Sequence, residues 1–148
     1  MLVVSFAVGS RRRPGTGPGR RFLMASVELR NWACGDIAVV GLCGQLDAVN
    51  IAEFVTSLSA VTWSGRRIVI DLAGLGFIDC GAVAGLRRVR ELALRAGGDL
   101  SLAAAAGIVL RLLTLISAAD LVPVYASVAV AVAAADDGAV TVSGGPRV

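Results

Sequence analysis

Residues 66–72 set Ile68, Val69 and Ile70 side by side, three β-branched residues with nothing polar between them. A strand with one face in water would expose the middle residue of such a run, so the pattern predicts a strand covered on both faces. Asp71 marks its polar end. A strand of this kind sits inside a sheet with helices against it, and its neighbours in the chain should alternate between strand and helix.

They do. Residues 25–32 and 37–42 are short strand-like runs on either side of Ala33-Cys34-Gly35-Asp36, whose Gly-Asp pair supplies turn chemistry for a hairpin. After Gly44-Gln45-Leu46-Asp47, apolar residues recur at Ile51, Phe54, Val55 and Leu58, and Asn50 with Glu53 forms a capping box, which predicts a helix over 50–60. Residues 74–79 carry two glycines and read as a connecting loop. Ala82, Leu86, Val89, Ala93 and Ala96 then make one face of a second helix, Arg87, Glu91 and Arg95 the other, and Gly97-Gly98 ends it. Residues 99–105 alternate as a strand, 107–117 form a third helix with Val109, Leu112, Leu113 and Ile116 inward, and 121–125 form a last short strand. Ser127 is placed to cap a final helix through 135, although Val128, Val130 and Val132 also alternate as a strand would. The expected class is α/β: a central mixed β-sheet of about five strands with about four helices and an early β-hairpin.

The 148 residues suit one domain, and 56% hydrophobic with only 5% aromatic content means an aliphatic core. The pattern assigns residues 25–135 to that domain, 1–24 to a flexible basic leader rich in Pro and Gly, and 136–148 to a disordered tail. Met24 stands at the expected domain start, where a shorter chain could begin. The leader puts its apolar residues before its arginines, the reverse of a secretory signal, and Glu28 and Arg30 stand where a twin-arginine signal needs an apolar run. Residues 100–119 have the length of a membrane span, but Arg111 lies within them and Gly107 divides them into an alternating and a helical half. A cytoplasmic domain with no membrane partner is expected.

All fourteen basic residues are arginines and histidine is absent, so a Walker-type phosphate loop, a Cys-His pair and a Ser-His-Asp triad cannot be built. The formal charge of +3 comes from the leader: five of the fourteen arginines precede Phe22, leaving nine against eleven acids, which argues against direct nucleic-acid binding. Cys34, Cys43 and Cys80 are an odd, widely spaced set, unlike a disulfide framework or a zinc knuckle. Cys34 and Cys43 are expected as buried small hydrophobes rather than a bridge across the hairpin. No catalytic residue, cofactor or metal site is expected.

Several ordered segments carry a resemblance. Gly44-Gln45-Leu46-Asp47, the run from Ile70 to Asp79, Gly97-Gly98-Asp99-Leu100 and the run from Ala119 to Tyr125 resemble, in order and spacing, the anchors of the STAS domain family, the fold of bacterial anti-sigma factor antagonists. The likeness covers residues 27–135. It implies a partner, an anti-sigma factor of the serine kinase type, which such antagonists bind so that a sigma factor is released; a homodimer is a further expectation.

In that family the residue after the loop aspartate is commonly a serine, which the partner phosphorylates to break the complex. Here it is Cys80, and Gly81 replaces the small hydroxyl residue often found next. The resemblance therefore implies a partner-binding junction at Asp47, Asp79, Cys80 and Gly81 without its usual phosphate acceptor. Asp79 reads either as a partner contact or as the N-cap of the second helix, and Asp47 as a partner contact or a turn residue. Cys80 is inert, redox-sensitive or, least compatibly with the missing imidazole, a nucleophile. A nucleotide- or small-ligand-binding module is the alternative from another class, with no glycine-rich phosphate loop to support it.

Overall fold

The computed structural model describes residues 20–24, 27–62 and 66–137. Along the chain these form β1 (Arg20–Met24), β2 (Val27–Cys34), β3 (Ile37–Leu46), α1 (Ile51–Thr62), β4 (Arg67–Ile78) and α2 (Cys80–Arg95). There follow β5 (Asp99–Ala103), α3 (Gly107–Leu115), a 3-10 turn (Ala118–Asp120), β6 (Val124–Tyr125) and α4 (Val128–Asp137). The six strands lie side by side in sequence order; β1, β2 and β3 pair antiparallel, and β3 through β6 pair parallel.

The mixed α/β sheet is as expected, with one strand more. β1 occupies the end of the stretch expected to be a leader, and its pairing with β2 runs from Met24 opposite Val27 to Arg20 opposite Asn31. The Pro/Gly composition upstream had drawn the boundary too late. Residues 1–19 and 138–148, which hold the rest of the expected leader and most of the expected tail, lie outside the described residues. α4 continues to Asp137, two residues into that tail.

Both faces of the Ile68-Val69-Ile70 strand are covered. Ile68 and Ile70 join Val40, Leu42, Leu100 and Leu102 in a cluster with Phe54 and Leu58 of α1, Leu86 and Val89 of α2, and Val109 and Leu113 of α3. Val69 turns the other way and meets Ile37, Val39, Ala103 and Ala131 of α4. Three helices therefore cover one face, and α4 covers part of the other. α4 is a helix despite its alternating valines, and Val130 N–H donates to Ser127 Oγ at 3.2 Å.

β4 does not stop at Leu72. Its second half, expected as a loop, runs on to Ile78 and pairs with the end of β3, Gly44 opposite Leu75 and Leu46 opposite Ile78. Register shifts between Gly41 and Cys43 and between Gly44 and Gln45 absorb the irregularity. Gly74 is required by close approach rather than by a turn, since a Cβ there would meet Cys43 Sγ and lie 2.8 Å from the Leu42 carbonyl oxygen. The glycines mark bulges within a strand.

α2 ends as its glycines foretell. Gly97, at φ +89°, donates to the Leu94 carbonyl and Gly98 donates back to Ala93 at 2.8 Å, a Schellman arrangement. Arg90 fastens this end to the sheet, its Nε 2.8 Å from Asp99 Oδ1 and its guanidinium donating to the Leu121 carbonyl at 3.1 Å. The apolar run at 100–119 resolves into β5 and α3, and no helix among the described residues is long and apolar enough to cross a membrane. All three cysteines are free. Cys34 is half-buried beside the α4 cluster, whereas Cys43 is exposed, contrary to expectation, because it falls on the part of the sheet face that α4 does not reach.

Candidate functional site

Two chain segments emerge side by side at the C-terminal ends of the parallel strands β3 and β4, the usual place for a site on a sheet of this kind. One, residues 47–50, leads into α1; the other, Asp79 to Gly81, leads into α2. Asp79 joins them. With extended backbone at φ −114° and ψ 173°, it caps α2 by accepting from Ala82 N–H at 2.7 Å on Oδ1, while Oδ2 accepts from Ala48 N–H at 3.0 Å. Its own N–H donates to the Leu46 carbonyl at 3.3 Å.

Asp47 organises the other segment. Its Oδ1 accepts from the N–H groups of Val49 at 2.9 Å and Asn50 at 3.1 Å, and its carbonyl accepts from Ile51 N–H at 3.0 Å. Asn50, only 3% exposed, locks the same turn: its Oδ1 accepts from Asp47 N–H at 2.9 Å and its Nδ2 donates to the Gln45 carbonyl at 2.8 Å. The amide that the sequence suggested as half of a capping box thus holds the turn before the helix. A buried amide satisfied in this way fixes a loop more firmly than an exposed one, since breaking its bonds leaves polar groups unpaired.

The two segments also touch through glycine. A Cβ on Gly81 would lie 3.0 Å from Ala48 Cβ and 3.3 Å from Asp79 Oδ1, and a Cβ on Gly85, one turn further on, would collide with Ile51 Cγ1 at the start of α1. Bare backbone here lets the first turns of α1 and α2 close on each other. The four residues singled out by sequence, Asp47, Asp79, Cys80 and Gly81, are therefore brought to one place.

Asp79 through both oxygens and Asp47 through Oδ1 accept from the protein's own backbone. The groups turned to solvent are Ala48, Val49, Cys80 and Gly81, with Val49 87% exposed. Ala48 and Val49 escaped the sequence reading, and Asn50 was read only as a cap; the signal that could have found them is the Asp47-to-Asn50 spacing of a side-chain-closed turn. Among the described residues no cluster of acids and cysteines could hold a metal ion.

The family model for the STAS domain matches residues 34–131, two thirds of the chain and the whole of this junction. The chain belongs to the STAS domain family. A relative of this STAS domain is the anti-sigma-F factor antagonist RsfA of Mycobacterium tuberculosis, 29% identical over 113 residues that make up 74% of this chain and 85% of that one. Among solved structures, an anti-sigma factor antagonist from Mycobacterium paratuberculosis superposes with a TM-score of 0.68 at 22% identity, covering 76% of this chain and 96% of that one. The murine anion transporter Slc26a9 contains a similar fold, with a TM-score of 0.59 at 18% identity over 74% of this chain and 19% of that one. A STAS fold thus occurs in proteins of unlike activity, and function has to be argued from the site.

Proposed function

We propose that this STAS domain is an anti-sigma factor antagonist: it binds a serine-kinase-type anti-sigma factor at the Asp79-Cys80 junction and so releases a sigma factor. The observation that carries the proposal is the clamp by which Asp79 holds the β3–α1 turn against the start of α2, leaving Cys80, Gly81 and Val49 outward on two joined segments. A surface fixed in advance loses little conformational entropy on docking. The antagonists among its relatives support the choice of partner.

Phosphorylation at the usual place has no acceptor here. A serine kinase needs an alcohol oxygen; position 80 offers a thiol and position 81 no side chain. On this reading the domain stays competent to bind whatever the kinase activity of its partner. Because Cys80 is exposed, oxidation of its thiol is the modification left open at this position.

The test is affinity capture with the full chain against the anti-sigma factors of the same organism under reducing conditions. Retention of a kinase-type member supports the proposal, and failure to retain any across the full set overturns it.

A further inference from the structure

At the opposite end of β4 from Asp79, a groove of about 320 Å3 opens at the end of the sheet, bordered by α4 on one side and by Leu94, Gly97 and Gly98 at the end of α2 on the other. Its existence follows from the composition of α4, whose inward side offers Ala131, Ala134 and Ala135 where larger side chains would fill the space. Arg67 and Ser101 line it from β4 and β5, on the face that α4 partly covers, and Tyr125 lines it from β6.

Three polar side chains of this groove are uncommitted, and a fourth lining residue, Asp99, is not. Among the described residues neither the half-buried Arg67 guanidinium nor the Ser101 and Tyr125 hydroxyls has a hydrogen-bond or ion-pair partner. Asp99 stands opposite Arg67 in the parallel register and would be its natural partner, but its carboxylate is held by Arg90 at 2.8 Å and by its neighbour's N–H. Among the described residues the Arg67 guanidinium is therefore left without an ion-pair partner, with two hydroxyl donors, the engaged Asp99 carboxylate and methyl-lined walls around it.

We infer that this groove binds a small aliphatic monocarboxylate, its carboxylate on Arg67 with Ser101 and Tyr125 as further donors and its hydrocarbon body along α4. A guanidinium pairs well with a single carboxylate. A phosphate dianion fits worse, since it would bring a second negative charge close to Asp99, and among the described residues Arg67 is the one cation that lines the groove. The site is separate from the junction at Cys80 and does not depend on the anti-sigma reading.

Octanoate is the probe, titrated into the full chain and followed by amide chemical shifts and calorimetry. Saturable binding is expected, with shifts centred on Ser101, Tyr125 and Ala134, and 1-octanol, which lacks the charge, should bind at least about tenfold more weakly. Arg67→Gln should weaken octanoate roughly tenfold or more, and Tyr125→Phe should weaken it by a smaller factor with the fold undisturbed. The inference is overturned if octanoate gives no saturable shifts, if the shifts lie elsewhere, or if Arg67→Gln retains wild-type spectra and wild-type affinity. Equal binding of 1-octanol, or preferential binding of inorganic phosphate, also overturns it.

Discussion

Asp79 and Ala48 lie 31 residues apart and are joined by a 3.0 Å hydrogen bond from the Ala48 N–H to Asp79 Oδ2, the oxygen not used to cap α2. One carboxylate therefore does two jobs, starting a helix and holding the neighbouring loop against it. Any change at Asp79 should be felt in both places.

Asp79→Ala removes both bonds and should destabilise the domain by about 1–2 kcal/mol, the usual cost of losing a helix cap, read as a shift in the urea midpoint. Asp79→Asn keeps acceptor capacity on one oxygen only and should cost less. In both variants hydrogen exchange should quicken at the Ala48 and Ala82 amides. Protection of Ala48 equal to wild type in Asp79→Ala would remove the coupling between the two segments.

Gly85→Ala places a methyl group against Ile51 and should destabilise by about 1–3 kcal/mol, as overpacking does. Ile51→Ala removes the colliding atoms, so the double variant should lose less than the sum of the two single losses. Additive losses in thermal or urea unfolding would mean that α1 and α2 do not meet there.

Asn50→Ala leaves the Gln45 carbonyl and the Asp47 N–H without their side-chain partner in a part-buried turn and should cost about 1–3 kcal/mol. A fully exposed asparagine would cost a fraction of that. Urea unfolding monitored by circular dichroism measures it.

How much of this was open to a reader of the chain follows from the range of each interaction. The strand at Ile68-Val69-Ile70, the apolar stripe of α2 and the stop at Gly97-Gly98 are local patterns, and each stands where the periodicity or the turn chemistry places it. Asp79 as an N-cap was legible for the same reason. The continuation of β4 past Gly74 was not: its support comes from β3, some thirty residues earlier, and a glycine that allows close approach has the same spelling as one that makes a turn. The Asp79–Ala48 bond and the exposure of Cys43 likewise depend on which strands become neighbours and which part of the face α4 covers. β1 was hidden by the composition of the residues before it.

The thiols give a further check on the layers. Cys43 and Cys80 are exposed and Cys34 is half-buried, so a thiol reagent such as Ellman's should modify two groups quickly in the native chain and the third slowly. Peptide mapping should assign the slow one to Cys34. Rapid modification of all three would mean that the β2–β3 turn is not packed beside α4.

Binding of a kinase-type anti-sigma factor bears most directly on the function. Calorimetric titration of the full chain, wild type and Cys80→Asp, against each such factor of the same organism measures it. An acid at the first position of α2 suits the helix dipole and leaves the fold intact, yet it sets a charge in the middle of the docking surface. The wild type is expected to bind one factor with a Kd of about 1 μM or tighter, and Cys80→Asp at least about tenfold more weakly. No binding by the wild type to any of them, or equal binding by Cys80→Asp, would contradict the assignment of this junction as the partner site.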